Sequence, residues 1–229
     1  MNIFDVIQIA ITLLVLLLVG PYLGSFIYRI FEDESPSPRL FRKLENGFYR
    51  TCSIDSKIQM NWKTYTVAML VFNAVGFAIV FLLQMFQAHL PLNPQNLPNG
   101  SWHSAFNTAV SFMTNTNWQG YSGESTMSYL TQMLGLTVQN FVSAATGIAV
   151  AVALCRGLTR PQGKKIGNFW TDLYRGTIYL LLPLSIVLAL VLSFEGVVQS
   201  FAPYLKITGL DGIEQIIPKG PAASQVAIR

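Results

Sequence analysis

The stretch that decides the fold is residues 101–124, SWHSAFNTAVSFMTNTNWQGYSGE, whose single formal charge is its final residue, Glu124. It lies within residues 64–155, where Glu124 is the only Asp, Glu, Lys or Arg. The middle of this longer segment is rich in Asn and Pro, and apolar sequence flanks it on both sides. Irregular polar backbone is tolerated at membrane depth only where it is buried in protein or lines a watery cavity. The pattern therefore predicts two membrane spans joined by a re-entrant loop.

The rest of the chain also has the composition of a membrane protein. Of its 229 residues, 52% are hydrophobic and 11% are charged, against about 25% charged in average globular domains. A bilayer is crossed by roughly 20 apolar residues, and largely apolar stretches of 19 to 31 residues without Asp, Glu, Lys or Arg occur at residues 6–28, 64–86, 125–155 and 176–194. The predicted organisation is a first transmembrane helix, a cytoplasmic loop, a module of span, pore loop and span, a second cytoplasmic loop, and the start of a second module, at residues 1–31, 32–63, 64–155, 156–175 and 176–229.

Basic residues predict the orientation of the spans. Seven Lys and Arg residues fall in residues 29–63 and five in residues 156–175, while residues 64–155 contain none. Because cytoplasmic loops carry the excess of positive charge, we expect the amino terminus and residues 90–124 to face outward. The net charge of +4 then reflects topology and requires no nucleic-acid partner. Asp172 and Arg175 are expected to form a surface pair at i, i+3.

Residues 102–114 predict a helix that is too short to span the membrane. Ser101 is a suitable N-cap, and apolar side chains recur on one face of the thirteen residues that follow. At 1.5 Å per residue this helix is about 20 Å long, less than the thickness of the hydrocarbon core. We therefore expect an all-α membrane protein with four transmembrane helices, one complete re-entrant pore helix and filter loop, and the start of a second. An extracellular hairpin with Asn-rich turns is the alternative.

An internal repeat supports a second module. Residues 97–100, LPNG, followed by Ser104, recur 120 positions later as IPKG, followed by Ser224. Each copy comes after a span predicted to run outward, as expected of repeat architectures. A second half-helix is predicted to begin at Pro221. At the same offset a second filter loop would start beyond Arg229, so we expect only the beginning of this module.

Several of these segments closely resemble the potassium-transporting A subunit of Kdp-type ATPases. The resemblance rests on NPQ at 93–95, FNTAVSF at 106–112, TNTNWQGYSGE at 114–124, LTVQNF at 136–141 and GPAASQ at 220–225. It covers essentially the whole chain, but proteins of this family are more than twice as long and carry four pore modules. The resemblance implies a channel-like, K⁺-selective subunit in the bacterial cytoplasmic membrane, acting with a P-type ATPase catalytic subunit and small accessory membrane subunits.

The resemblance also implies which residues contact the ion. The first selectivity filter would comprise four polar residues, with K⁺ bound by the backbone carbonyls of the first three and a glycine pivot after the last: Asn115, Thr116, Asn117, Gln119 and Gly120. Carbonyl oxygens suit this role because they can replace the hydration shell of K⁺. Glu124 would lie at the outer mouth, where a carboxylate could attract cations.

The sequence predicts no catalytic site in the chain itself. It lacks the Asp-Lys-Thr-Gly phosphorylation motif and a phosphate-binding Gly-rich loop with Lys, and its two Cys and two His match no metal-ligand spacing. The expected role is K⁺ binding and translocation in an ATP-driven import complex, with no covalent cofactor and with ATP used by a partner subunit. Two alternatives remain: a truncated assembly or regulatory membrane protein without transport activity, and a small oligomeric cation channel. A reading frame that continues beyond codon 229 would favour a split or clipped transporter subunit.

Overall fold

The computed structural model describes residues 2–32, 39–159, 165–208 and 214–228. The chain divides into two units, Met1–Asp55 and Ser56–Arg229, which are described separately. Two of the basic residues used to predict the orientation, Arg160 and Lys164, lie outside the described residues, as does Arg229.

Within the described residues, four helical segments are long and apolar enough to cross a membrane: Ile3–Glu32, Trp62–His89, Thr131–Thr159 and Phe169–Phe194. The number of predicted spans is therefore confirmed. The fourth begins at Phe169, so residues 169–175, predicted to belong to a cytoplasmic loop, are helical instead. Asp172 and Arg175 had suggested a surface segment, but Asp172 is buried.

The first unit contains α1 (Ile3–Glu32) and α2 (Arg39–Thr51). In α1 the apolar side chains are exposed along most of the helix, and its buried residues are Ile30 and Phe31 near its end. Helix α2 lies where the sequence predicted a loop. Its apolar residues recur every three or four positions, which is the period of an amphipathic helix.

The second unit is built on two long helices, α3 (Trp62–Phe86) and the helix that ends at Thr159. The side chain of Asn61 caps α3 by accepting a hydrogen bond from the Thr64 amide at 2.9 Å. A single 3₁₀ turn, Gln87–His89, extends α3. The short helix α4 (Trp102–Met113) packs against α3 and against the second long helix.

After α4 the chain forms the single-turn helix α5 (Gly123–Thr126), a π-helical segment (Thr131–Thr137) and then α6 (Val138–Thr159). The π-helical segment is continuous with α6, and together they form the third candidate span, Thr131–Thr159. Small residues at four-residue spacing, Ala145, Ala149 and Ala153, are buried in α6 and allow close packing with α3, as is common between membrane helices.

The fourth span consists of α7 (Phe169–Arg175), a second π-helical segment (Gly176–Leu181) and α8 (Leu182–Phe194). An antiparallel hairpin follows, with β1 (Leu205–Thr208) paired to β2 (Glu214–Ile217) in the register Leu205 to Ile217. The prediction of an all-α fold is therefore right for the spans and incomplete for this connection. Helix α9 (Ala222–Val226) begins directly after Pro221, where the second half-helix was predicted to start.

Candidate functional site

Helix α4 agrees closely with the predicted half-helix. The Ser101 hydroxyl caps it by accepting a hydrogen bond from the Ser104 amide at 3.3 Å, and the helix ends one residue before the predicted Thr114. Its twelve residues extend about 18 Å. Ala109 and Phe112 are fully buried against residues of α3 and of the segment that follows α5. These contacts fix the position at which the chain leaves α4.

The chain leaves α4 through a Schellman motif, the hydrogen-bonded helix ending in which one residue adopts the left-handed conformation. Asn115 is that residue, with φ of 56°. Its amide donates to the Phe112 carbonyl at 3.3 Å, and the Thr116 amide donates to the Ser111 carbonyl at 2.9 Å. Asn is one of the few residues other than Gly that adopts this conformation readily. The Asn-rich composition therefore has a direct backbone explanation here.

The left-handed conformation occurs again at Asn117. Asn117 also has φ of 56°, and its amide donates to the Ser111 carbonyl at 3.3 Å. Three successive amides, those of residues 115–117, thus point back to the end of α4. In a planar trans peptide the carbonyl points opposite to the amide of the same unit. The carbonyls of Thr114, Asn115 and Thr116 therefore point away from α4, and these three residues are exposed.

Side chains hold this segment in place. The Asn115 Oδ1 accepts a hydrogen bond from the Ser143 hydroxyl of α6 at 3.2 Å, and the hydroxyls of Thr114 and Thr116 are 2.8 Å apart. Beyond it, Gln119 is partly buried. A Cβ at Gly120 would lie 2.9 Å from the Trp118 ring. Any other residue at position 120 therefore requires the exposed Trp118 side chain to shift.

Glu124 occupies a different environment from the other predicted site residues. It lies in α5, is exposed, and accepts a hydrogen bond from the Tyr204 hydroxyl through its backbone carbonyl. It lines an open cavity of about 750 Å³ together with Gln95, Tyr204 and Lys206. Burial raises the pKa of Tyr204 to about 12, with smaller contributions from Tyr129 and Glu124. Among the described residues that line this cavity, Glu124 is the only predicted site residue.

Neutral amides brace the loops around α4, and the sequence analysis missed them. The Gln87 side chain is fully buried. Its amide donates to the carbonyls of Pro98 and Thr126, both at 2.7 Å, and its oxygen accepts from the Ser128 amide at 3.1 Å. The Gln84 carbonyl accepts from the Gly100 amide at 2.9 Å. We call Gln84, Gln87 and their partners the amide end of the α3 and α6 pair. The only signal for this arrangement in the sequence is a Gln near the end of an apolar span.

A buried ion pair occupies the opposite end of the same helices. The Arg156 guanidinium donates to the Asp172 carboxylate at 2.7 Å. The Tyr65 hydroxyl is within hydrogen-bonding distance of this carboxylate, at 3.1 Å, and of the Ala149 carbonyl, at 2.9 Å. All three side chains are buried. The expectation that Asp172 lies at the surface is therefore wrong: its carboxylate is buried and joins α3, α6 and α7. We call Tyr65, Arg156 and Asp172 the ion-pair end.

These features define a helical, multi-span membrane protein with a half-length helix packed between two spans. Residues 10–229 match the sequence model of the family KdpA, potassium-transporting ATPase A subunit. Because the match covers nearly the whole chain, the chain belongs to this family. The resemblance noted in the sequence is confirmed.

Individual relatives agree with the family assignment. The chain is 55% identical to the potassium-transporting ATPase potassium-binding subunit of Pseudomonas fluorescens (strain Pf0-1) over 94% of the chain and 38% of the relative. It is 50% identical to the protein of the same name from Pseudomonas aeruginosa over 100% of the chain and 41% of the relative. The Rhodospirillum centenum protein is 54% identical over 97% of the chain and 39% of the relative. The chain thus spans about two fifths of the length of these relatives.

Proposed function

We propose that this chain forms part of the potassium-binding subunit of an ATP-driven K⁺ import complex, and that the segment after α4 contributes to a K⁺ selectivity filter. The observation that carries the proposal is the common direction of the amides at residues 115–117, which donate to the end of α4. Their peptide carbonyls then lie on the opposite side of the segment. Carbonyls arranged in this way can replace water around K⁺.

Helix α4 supports a cation at this position. The carboxyl-terminal end of a helix carries partial negative charge, and Asn115 is the second residue after that end. In this proposal α4 is a re-entrant pore helix, and the carbonyls of Asn115 and Thr116 bind K⁺ as the sequence predicted. The Thr114 carbonyl, which shares a peptide unit with the Asn115 amide, takes the place of the predicted Asn117 carbonyl. Asn117, Gln119 and Gly120 continue the filter segment. Glu124 acts at the mouth, and not as a ligand within the filter.

The same proposal assigns ATP hydrolysis to another subunit. The matched relatives are named as potassium-binding subunits of a potassium-transporting ATPase. We infer a P-type catalytic partner, small accessory membrane subunits, and a location in the bacterial cytoplasmic membrane with the amino terminus outside. The basic residues of the connections after the first and third spans support this orientation. Family membership does not favour a regulatory protein or a small oligomeric channel.

A substitution at Gln119 tests the filter assignment. In a full-length transporter that carries this segment, Gln119→Arg is expected to weaken K⁺ affinity at least tenfold, and more than Gln119→Ala does. A guanidinium about 5 Å from a cation, at an effective dielectric near 20, costs roughly 3 kcal/mol before screening, and each 1.4 kcal/mol is about tenfold. Loss of one neutral interaction costs only about 1 kcal/mol.

The measurement is the K⁺ concentration that gives half-maximal ATPase activity of the purified complex. A Gln59→Arg variant is the matched control, because Gln59 is exposed and adjoins Met60, which pairs with Gly167 in the connection before α7. It should leave the half-saturating concentration unchanged. If both Gln119 variants leave the half-saturating concentration within about twofold of the parent, residues 115–120 are not a filter.

A further inference from the structure

Helix α2 carries a surface whose purpose the proposed function does not explain. Phe41, Leu44 and Phe48 follow one another at i, i+3 and i+7, so they lie on one stripe of the helix. Their exposed fractions are 43%, 58% and 42%. Aqueous surfaces rarely carry several large apolar side chains side by side, and such patches mark contact with a membrane or a partner. We call these three residues the apolar stripe.

The opposite side of α2 is basic. Lys43 and Arg50 are seven residues apart and exposed. At 3.6 residues per turn they lie about 140° around the helix from the apolar stripe. Arg42 is exposed as well. Basic residues opposite an apolar stripe are typical of helices that lie in the plane of a membrane interface.

Glu45, the acidic residue of α2, is buried and does not contribute to this surface. Glu45 is 4% exposed, and its carboxylate accepts a hydrogen bond from the Tyr49 hydroxyl at 2.7 Å. The exposed charges of the described α2 side chains are therefore all positive. A protein partner for the apolar stripe would not need this uniform charge. Anionic phospholipid headgroups attract the positive side chains of α2, and this attraction acts over about one Debye length.

The chain connection places α2 near a membrane surface. It begins at Arg39, seven residues after the end of the first candidate span at Glu32. Seven residues of fully extended chain reach at most about 25 Å. We propose that α2 binds an anionic phospholipid bilayer on the side where α1 ends, with its apolar stripe among the acyl chains and its basic side toward the headgroups. The proposal does not depend on which side of the membrane this is, nor on the filter.

The test uses the full chain, with Cys52 and Cys155 replaced by Ser, reconstituted in phosphatidylcholine vesicles with and without phosphatidylglycerol. A spin label is attached to Leu44→Cys or, as the adjacent control, to Lys43→Cys. Collision rates with oxygen, which enters lipid, and with a water-soluble nickel chelate report the surroundings of each label. With phosphatidylglycerol present, we expect the label at 44 to favour oxygen and the label at 43 to favour nickel.

Charge reversal then tests the lipid class. Lys43→Glu with Arg50→Glu, combined with the label at 44, is expected to raise nickel access relative to oxygen roughly tenfold in the anionic vesicles, and to change it little in pure phosphatidylcholine. Lys43→Arg with Arg50→Lys, which keeps the charge, should have no effect. Equal nickel access at 43 and 44 in the anionic vesicles would overturn the proposal. So would a label at 44 shielded from both reagents, which would indicate a protein partner, or an equal effect of charge reversal in the two lipids.

Discussion

The two ends of the α3 and α6 pair are held together by different chemistry. At the amide end, Gln87 satisfies two carbonyls and one amide without any charge. At the ion-pair end, Arg156 and Asp172 are buried as a charged pair. About twenty residues of α3 separate Tyr65 from Gln87, which is about 30 Å along the helix. The amide end adjoins the start of α4, and the proposed filter begins at the opposite end of α4, about 18 Å along the helix.

The difference has an electrostatic reason. A fixed charge a few ångströms from a K⁺ site would change the energy of the ion by several kcal/mol at an effective dielectric near 20. Neutral hydrogen bonds contribute about 1 kcal/mol each, and they position the loop without shifting that energy. Asn115 meets Ser143, which is thirteen positions before Arg156 in α6, or about 20 Å along the helix. At that distance a balanced ion pair has little effect on the site. A balanced pair of buried charges can therefore occupy the ion-pair end without disturbing the site.

The largest expected effect is at the ion-pair end. Asp172→Leu leaves the Arg156 guanidinium buried without its carboxylate, and we expect it to lower the free energy of unfolding by about 3–5 kcal/mol. Denaturant titration of the purified chain in detergent measures this loss. The double variant Arg156→Met with Asp172→Leu should recover most of it, because no buried charge remains. If the single variant costs under about 1 kcal/mol, the pair is solvated and the contrast between the ends disappears.

At the amide end we expect a smaller loss. Gln87→Leu keeps the size of the side chain but leaves the carbonyls of Pro98 and Thr126 and the amide of Ser128 without this partner, at a cost of about 2–3 kcal/mol. Gln95→Leu is the control, because the Gln95 amide donates only to the Tyr129 hydroxyl in the described structure, and should cost about 1 kcal/mol or less. The same titration compares the two. Equal costs would mean that Gln87 does not brace the loops.

The next largest effect is expected from substitutions of Asn115. Asn115→Gly keeps the left-handed conformation available, while Asn115→Val does not, and we expect Val to cost about 1–2 kcal/mol more stability than Gly. In the full-length transporter, Val should also raise the half-saturating K⁺ concentration more than Gly. Ser143→Ala, which removes the bond to the Asn115 side chain, separates this side-chain contribution. Equal affinities for the Val and Gly variants would exclude a requirement for this backbone geometry.

The smallest effect concerns the hydroxyl of Tyr204. Its pKa is raised to about 12 from an ordinary value near 10, so the folded chain holds the proton more tightly than the unfolded chain. The stability that this contributes is fully present below about pH 10 and is lost as the pH rises toward about 12. We expect Tyr204→Phe to reduce the slope of stability against pH in this window. An unchanged slope would show that the Tyr204 hydroxyl does not titrate differently on folding.

The sequence predicted what depends on local pattern. The four spans follow from apolar length, and the bounds of α4 follow from Ser101 and the Asn-rich segment after it. Helix α2 also has a local signal, because Phe41, Leu44 and Phe48 keep helical spacing, but reading residues 32–63 as a loop missed it. The hairpin of β1 and β2 was missed as well. Its strands have only four residues each, and the residues of β2 do not alternate between apolar and polar.

What could not be predicted depends on distant contacts. Arg156 and Asp172 are 16 positions apart, and Tyr65 is 107 positions from Asp172. Asn115 meets Ser143 across 28 positions. A single sequence does not say which distant polar residues will meet, so it assigned Asp172 to its helical neighbour Arg175. The proposed filter residues were found through resemblance, whereas their backbone geometry came from the folded chain.

The left-handed backbone at Asn115 and Asn117 restricts how this segment can mutate. Glycine is the residue best suited to that conformation, yet an asparagine codon becomes a glycine codon only when both its first and second bases change. The intermediate codon encodes either aspartate, which adds a carboxylate beside the outward-pointing carbonyls, or serine, which adopts the left-handed conformation less readily. If the two bases change one at a time, asparagine therefore reaches glycine only through a less suitable residue. Glycine at these two positions would satisfy the backbone, but two base changes separate it from asparagine.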